Sequence, residues 1–509
     1  MGLKETARDR EAARSPDAPS PPPSAEGLSG SVYSDYLESR RTESRAYYDG
    51  LGAGRLRWIG RYSYYYRTLL DLVRNLIPAG SRVLEIGCGS GYFLNGVRPS
   101  RGVGVDHSRS MVELAGGLYP DLEFRHLVAE RVEELDEEFD HVLLVNASGE
   151  IADLEACLRG IRRVSGRHTR LVILQHNFLW EPVLKAAGAL GWVMGRPVQS
   201  WLTPSDLRTF LHLSGYRILR TGYRCPFPFG VPVLSWVLNK VVGRLPVFRC
   251  LGITQFVVAR PLAFASDPAS VRVSVVVPCK DEEANVPFIV ERIPEMGAGT
   301  EIIFVDDRST DRTRSLIEAS IARHGDRDIK LVQGPGEGKG ACVRAGLAEA
   351  RGEMYMILDA DMTVMPEDLP RFFRALSQDR GEFANGSRLV YPVAGEAMGF
   401  LNMLGNKVFA WLFTYLLGQR IKDTLCGTKA LWARDYPRVL GSRAQLGGVD
   451  RWGDYDWIFG AARHALEIVE VPVHYVERRG GESKMTKRFH NAWVMLKVCW
   501  FAFWRLKIL

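Results

Sequence analysis

Cysteine is scarce in this chain, eight among 509 residues, and none forms a C-x-x-C pair or clusters with histidine. That argues against a disulfide framework or a structural zinc site and leaves free thiols in a reducing compartment as the expectation. Long uninterrupted apolar runs are missing too. The two most apolar stretches, 398–418 and 491–509, are interrupted by charge, which excludes a clean membrane span and suits helices lying in a headgroup region. The N-terminus lacks the basic-then-apolar pattern of a signal peptide, so the expected location is the cytoplasmic side, peripheral on a membrane face. Excess charge is slight, +7 with 25% charged residues, and does not call for nucleic acid, although it suits anionic substrates or a membrane surface.

What is present is the composition of a folded protein, 46% hydrophobic, in a chain too long for one ordinary core. Residues 1–30, including "RSPDAPSPPPSAEG", are too polar and proline-rich to offset the entropy of ordering and read as a disordered tail. Beyond them, apolar runs alternate with helix-period segments: "RVLEIG", "GVGVD", "DHVLLVN" and "TRLVILQHN" read as buried strands. Small residues and prolines at 261–270 break the pattern, and it restarts with "VRVSVVVP", "EIIFVDD", "IKLVQG" and "MYMILDA". The fold class is therefore α/β, with two Rossmann-like domains at 31–260 and 271–490, each a parallel sheet flanked by helices. An amphipathic helix at 491–509 follows.

In the first half, "VLEIGCGSGYFL" is a strand running into Gly87, Gly89 and Gly91 and then a helix, a loop that lets backbone approach a ligand closely. Asp106 ends the next strand, where a carboxylate suits ribose hydroxyls. Tyr92 stands where a dinucleotide-binding loop needs its last glycine, which argues against NAD. This stretch resembles the class I S-adenosylmethionine-dependent methyltransferases over about residues 45–260. The resemblance implies S-adenosylmethionine as cofactor, with Gly87, Gly89 and Gly91 at its methionyl end, Glu85 nearby, Asp106 on the ribose and Glu130 after the third strand. His176, Asn177 and Glu181 follow a strand where an acceptor pocket could form. His176 has a structural reading as well as a catalytic one, and the domain could bind cofactor without turnover.

In the second half, carboxylates recur at strand ends: Asp281 and Glu282, then Asp306, Asp307 and Asp311, then Asp359 and Asp361 in "LDADMT". Such ends converge on the crevice above a parallel sheet. Two readings of the last pair stand: a divalent cation holding a polyphosphate, or a solvated turn with a capping aspartate. The loop "GPGEGKGACVRAG" adds one cation, Lys339, but Gly340 after it breaks the Walker pattern.

This assembly resembles the family 2 glycosyltransferases of GT-A fold, over about residues 271–490, and especially those that make polyprenyl-phosphate sugars. The resemblance implies that Pro278, Glu282 and Asp307 line the base and ribose of a UDP- or GDP-sugar and that Asp359 and Asp361 flank its diphosphate with Mg2+ or Mn2+. Lys339 and Arg388 join the nucleotide-sugar set, and Arg478, Ser483 and Lys484 fit an R-x-x-G-x-S motif close to the phosphates. Thr363 stands where the family often has glutamine, and Asp281 where it has asparagine. A polyprenyl-phosphate acceptor needs no strong base; a glycan or other hydroxyl acceptor does, and Asp454 and Asp456 are then the candidates, against a reading as capping carboxylates. Gln445, Arg451 and Trp452 miss the Q-x-x-R-W spacing of processive polysaccharide synthases.

Overall fold

The computed structural model describes residues 29–195, 199–245, 247–262, 266–388, 400–443, 453–476 and 488–504. Strands run β1 (Arg82–Ile86), β2 (Arg101–Asp106), β3 (Glu123–His126), β4 (Phe139–Val145), β5 (Ser165–His176), β6 (Tyr216–Arg224) and β7 (Thr254–Pro261) in the first domain. The second has β8 (Val273–Cys279), β9 (Thr300–Asp306), β10 (Asp328–Gln333), β11 (Met354–Ile357), β12 (Phe383–Ser387), β13 (Lys429–Trp432) and β14 (Ile468–Pro472). The sheet orders are β3-β2-β1-β4-β5-β7-β6 and β10-β9-β8-β11-β13-β12-β14. These are two mixed α/β Rossmann-like domains. The sheets are parallel except that β7 and β13 run against both neighbours, a departure from the all-parallel expectation.

Alternation along the strands sends apolar side chains to both faces. Val273, Val275 and Val277 of β8 enter one apolar layer and Val276 the other. In the first domain Val83 of β1 and Leu84 beside it divide between two layers in the same way. Helices Phe400–Leu417 and Arg488–Phe503 each dock one side on the second domain: Phe413, Leu416, Met495 and Cys499 are buried there, and the Phe413 ring lies 4.9 Å from Phe459. Their other sides expose Val408 and Trp411, and Trp493, Trp500 and Trp504. They are core helices on one face and apolar surface on the other. Among the described residues no helix is long and apolar enough to cross a membrane.

The domains are joined by a buried ionic seam. Arg260 on β7, with no exposed surface, donates to both carboxylate oxygens of Asp379 at 2.9 and 3.0 Å and to Glu467 at 2.8 Å. Arg170 on β5 is bidentate to Glu382 at 2.7 and 2.8 Å and donates to the Ala465 carbonyl. Arg217 on β6 donates to Glu467 at 2.7 Å and to the Arg380 carbonyl. Three arginines come from the first domain and three carboxylates from the second. Such geometry offsets the several kcal/mol per ion that desolvation costs.

Candidate functional sites

In the first domain the glycine loop folds as its composition demands. Gly87, Gly89 and Gly91 all have positive φ, and a Cβ at Gly87 would strike Ala147, whereas one at Gly89 would only touch the Arg55 side chain, at 3.9 Å. Asp106, at the end of β2, accepts from the backbone N–H of Gly89 and of Ser108, both at 2.9 Å, so it ties the loop to the neighbouring strand. Gly87, Gly89, Asp106 and Glu130 line a solvent-open crevice, whereas Gly91, expected there, does not: it is packed against the Phe124 and Tyr119 rings. Glu85 does not line it. Its carboxylate is buried beneath the loop and accepts from the Leu94 N–H, and burial raises its pKa to about 8.

The sequence did not single out the rest of the crevice. Helix Ser29–Leu51 supplies Arg41, Ser44 and Tyr48, and Arg55 and Glu150 complete the wall. Arg41 donates to Glu130 at 3.1 Å, and the Tyr48 hydroxyl donates to Glu150 at 2.6 Å. Asp49 anchors this helix by accepting from the Ser108 hydroxyl and the Ser110 N–H. Glycine backbone and carboxylates at the ends of the strands fit S-adenosylmethionine, for which Gly87, Gly89, Asp106 and Glu130 are the contacts on offer.

Beyond Arg55 lies a second cavity of about 1370 Å³, lined by aromatic groups including Tyr65, Tyr66, Trp58 and Trp201, with His176 at the end of β5. Arg55 is the partition, because it donates to the Tyr66 hydroxyl at 3.1 Å from within the first crevice. The Tyr65 hydroxyl lies 3.4 Å from His176 Nδ1. Asn177 is structural: it is buried and its amide donates to the carbonyls of Cys250 and Gly252. Glu181 is paired on its own helix with Lys185.

In the second domain, Pro278 lies near the end of β8, Glu282 follows that strand and Asp307 follows β9, with the two strand ends side by side in the parallel register. Asp307 accepts from the N–H groups of Gly336 and Gly338 and so pins the loop before Lys339. Glu282 is buried and accepts from the Asn285 amide. The loop delivers Lys339 to the crevice, 2.7 Å from an Asp359 oxygen and 3.5 Å from one of Asp454. Burial alone would lower the Lys339 pKa, but Asp359 and Asp454 raise it instead. Asp359 is itself raised, by burial against the pull of Lys339 and with the repulsion of Asp361 and Asp454.

Lys429, fully buried, approaches the other Asp454 oxygen at 3.4 Å and donates to the Cys426 carbonyl. A side chain at Gly427 would collide with both Asp359 and Lys339, so this position also shapes the site. The Asp454/Asp456 pair separates, as residues two apart on a helix do: Asp456 is bound to Arg443 at 2.9 Å. Asp361 accepts from the N–H and hydroxyl of Thr363, the position where glutamine was expected. Arg388, expected to face the nucleotide, instead forms a bidentate pair with Asp423 at 2.7 and 2.9 Å. Burial would raise the Asp423 pKa, yet Arg388 brings it down to about 2. Arg478, Ser483 and Lys484 lie outside the described residues.

Among the described residues no group of three or more His, Cys, Asp or Glu side chains forms a metal cage. Asp359 and Asp361 nevertheless offer hard oxygen donors, and these fit an ion such as Mg2+ that takes most of its ligands from phosphate and water.

Residues 274–429 match the family model described as glycosyl transferase family 2, and residues 58–221 match a methyltransferase domain. An uncharacterised glycosyltransferase of Mycobacterium tuberculosis is 30% identical over 235 residues, 45% of this chain and 96% of that protein. Polyprenol monophosphomannose synthase of Mycolicibacterium smegmatis is 31% identical over 231 residues, 43% of this chain and 84% of that protein. Among solved structures, magnesium protoporphyrin IX methyltransferase of Synechocystis PCC 6803 with bound SAH overlaps 43% of this chain and 98% of its own, at 18% identity and TM-score 0.31.

Proposed function

Because the chain belongs to glycosyltransferase family 2 through its GT-A half and carries a class I methyltransferase domain ahead of it, we propose that it moves a sugar from a UDP- or GDP-sugar to a polyprenyl phosphate at the cytoplasmic face of a membrane. The observation that carries this reading is the meeting of Lys339, Asp359 and Asp454 at the crevice of the second sheet. Similarity to the polyprenol monophosphomannose synthase supports the choice of acceptor. An acceptor phosphate oxygen attacks the anomeric carbon, the bond to the nucleoside diphosphate breaks with its electron pair, and configuration inverts. Lys339 stabilises charge on the departing diphosphate, and Arg478 and Lys484 are assigned to the acceptor phosphate. A Mg2+ or Mn2+ ion held by Asp359 and Asp361 would add charge stabilisation at that diphosphate.

For the first domain, catalysis of methyl transfer is supported by the methyltransferase match. S-adenosylmethionine would supply an electrophilic methyl group. His176, in the aromatic cavity beside the partition Arg55, is assigned to take the proton from the acceptor.

The second reading places the sugar on a hydroxyl group, and Asp454 favours it, since this carboxylate stands in the crevice rather than in a remote ion pair. A donor screen decides. Purified protein, metal, membrane extract and labelled UDP- and GDP-sugars are incubated beside an Asp361→Ala control. Acid-labile, organic-extractable label absent from the control supports the lipid-phosphate acceptor, whereas label only in water-soluble or polymeric product overturns it in favour of a hydroxyl.

A further inference from the structure

Strand β6 and its connection to β7, residues 225–253, together hold a group of cations that neither activity uses. Arg220 and Arg224 stand on one face of β6, four residues apart with Gly222 between them. Gly222 pairs across the sheet with Phe256, and a side chain at Gly222 would clash with that ring. The ring therefore lies over the glycine, with the guanidinium carbons of Arg220 and Arg224 5.9 and 5.0 Å from its centre.

A third guanidinium comes from Arg244 in the short turn Val242–Arg244. Only 9% of Arg244 is exposed, its Nε donates to the Asn239 carbonyl, and its Nη1 has no hydrogen-bond partner. Its own carbonyl accepts from the Tyr415 hydroxyl, which brings the second domain to the edge of the group. Burial lowers the pKa of Arg244 to about 10, with repulsion from Arg220 adding to it, and lowers that of Arg224 through burial and repulsion from Arg244 and Arg220. Among the described residues no carboxylate offsets either charge.

An arginine does not relieve such a site by losing its proton, so a buried Arg244 flanked by the half-buried Arg220 and Arg224 calls for an anion. Contact with the Phe256 ring accounts for Arg220 and Arg224. It leaves Arg244 and its unpartnered Nη1 unexplained. We propose that Arg220, Arg224 and Arg244 form an oxyanion site at the seam of the two domains, built for a phosphate group. The same connection exposes Trp236, Val241, Leu245, Phe248 and Leu251, so a phosphate carried by a lipid would meet apolar surface around the cations. The source is either such a lipid or a free polyphosphate, and the geometry of the three arginines serves both.

The test uses the full chain, with thermal melting in pyrophosphate and co-sedimentation with phosphatidylcholine vesicles, with and without phosphatidic acid. Wild type and Arg244→Met are compared, with Arg220→Met as the second variant should the first fail to fold and Arg109→Met as a control for loss of one exposed charge. The expected result is a melting shift with pyrophosphate, or enrichment on phosphatidic acid vesicles, that falls at least tenfold in apparent affinity in Arg244→Met while Arg109→Met matches wild type. Response to pyrophosphate alone identifies a free anion; response to phosphatidic acid alone identifies a lipid. Without ligand, Arg244→Met should melt no lower than wild type, since it removes an uncompensated charge. Equal binding by wild type and Arg244→Met, equal losses in both variants and the control, or no response to either probe would overturn the proposal.

Discussion

The Lys339 ammonium lies 2.7 Å from an Asp359 oxygen, so one carboxylate of the pair proposed to face the diphosphate already has a cation of the protein's own. Replacing it, Lys339→Met, leaves Asp359 to repel Asp361 and Asp454. A divalent ion should then bind the nucleotide-free protein more tightly, read by Mn2+ titration with magnetic resonance detection. Sugar transfer should fall by about 10² to 10³ because the leaving diphosphate loses a fixed charge. Unchanged Mn2+ affinity would show that the lysine and the ion do not share this carboxylate.

Asp454 and Asp456 should respond differently to the same change. Asp454→Asn removes the carboxylate between Lys339 and Lys429 and should reduce sugar transfer by about tenfold or more, with folding retained. Asp456→Asn breaks the pair with Arg443, away from Lys339, so turnover should persist while stability drops by about 1 kcal/mol. Equal losses of turnover would mean that both groups act on the crevice.

On the methyl side, Asp106→Ala should lower affinity for S-adenosylhomocysteine by about tenfold or more in calorimetry, since it removes both the proposed ribose acceptor and the bonds that hold Gly89 and Ser108. His176→Gln should leave that affinity intact and slow methyl transfer with a changed pH profile. Loss of cofactor binding in the histidine variant would assign His176 to architecture.

The seam should be acid-sensitive in a defined direction. Burial would raise the Glu382 carboxyl, but Arg170 and Arg260 overcome it and hold the group below its ordinary value of 4.5. The folded state then binds this proton less well than the unfolded one. The stability it contributes is complete above about pH 4.5 and is lost as the pH falls through the folded value. Between pH 7 and pH 4 the melting temperature of wild type should fall further than that of Glu382→Gln. Parallel curves would remove Glu382 from the cause.

Removing Arg260 is a harsher test. Arg260→Leu takes from Asp379 and Glu467 the cation they share in a buried seam and should cost about 3 to 5 kcal/mol. Calorimetry should resolve two unfolding transitions in place of one.

Much of this was legible because it is local. Apolar runs bounded by glycine marked β1, β2, β4, β5, β8, β9, β10 and β11, and the loop 87–91 and Asp106 sit together as their spacing implies. What escaped depends on distance along the chain. Nothing in the short-range pattern of residues 29–51 says that Arg41 and Tyr48 reach the first crevice, and the long separation of Lys339 and Asp454 along the chain hides their meeting. Strand direction leaves no mark on composition, so β7 and β13 gave no warning that they run backwards. Arg388 was misplaced because a basic residue after a strand reads alike whether it faces a ligand or Asp423.

The seam also bears on how the chain could be divided. A cut in the stretch after β7 would give one fragment displaying three guanidinium groups and another displaying three carboxylates, each set already arranged for its counterpart. Two separately produced halves would then be a natural pair for fragment complementation, held by opposite charge and released by salt.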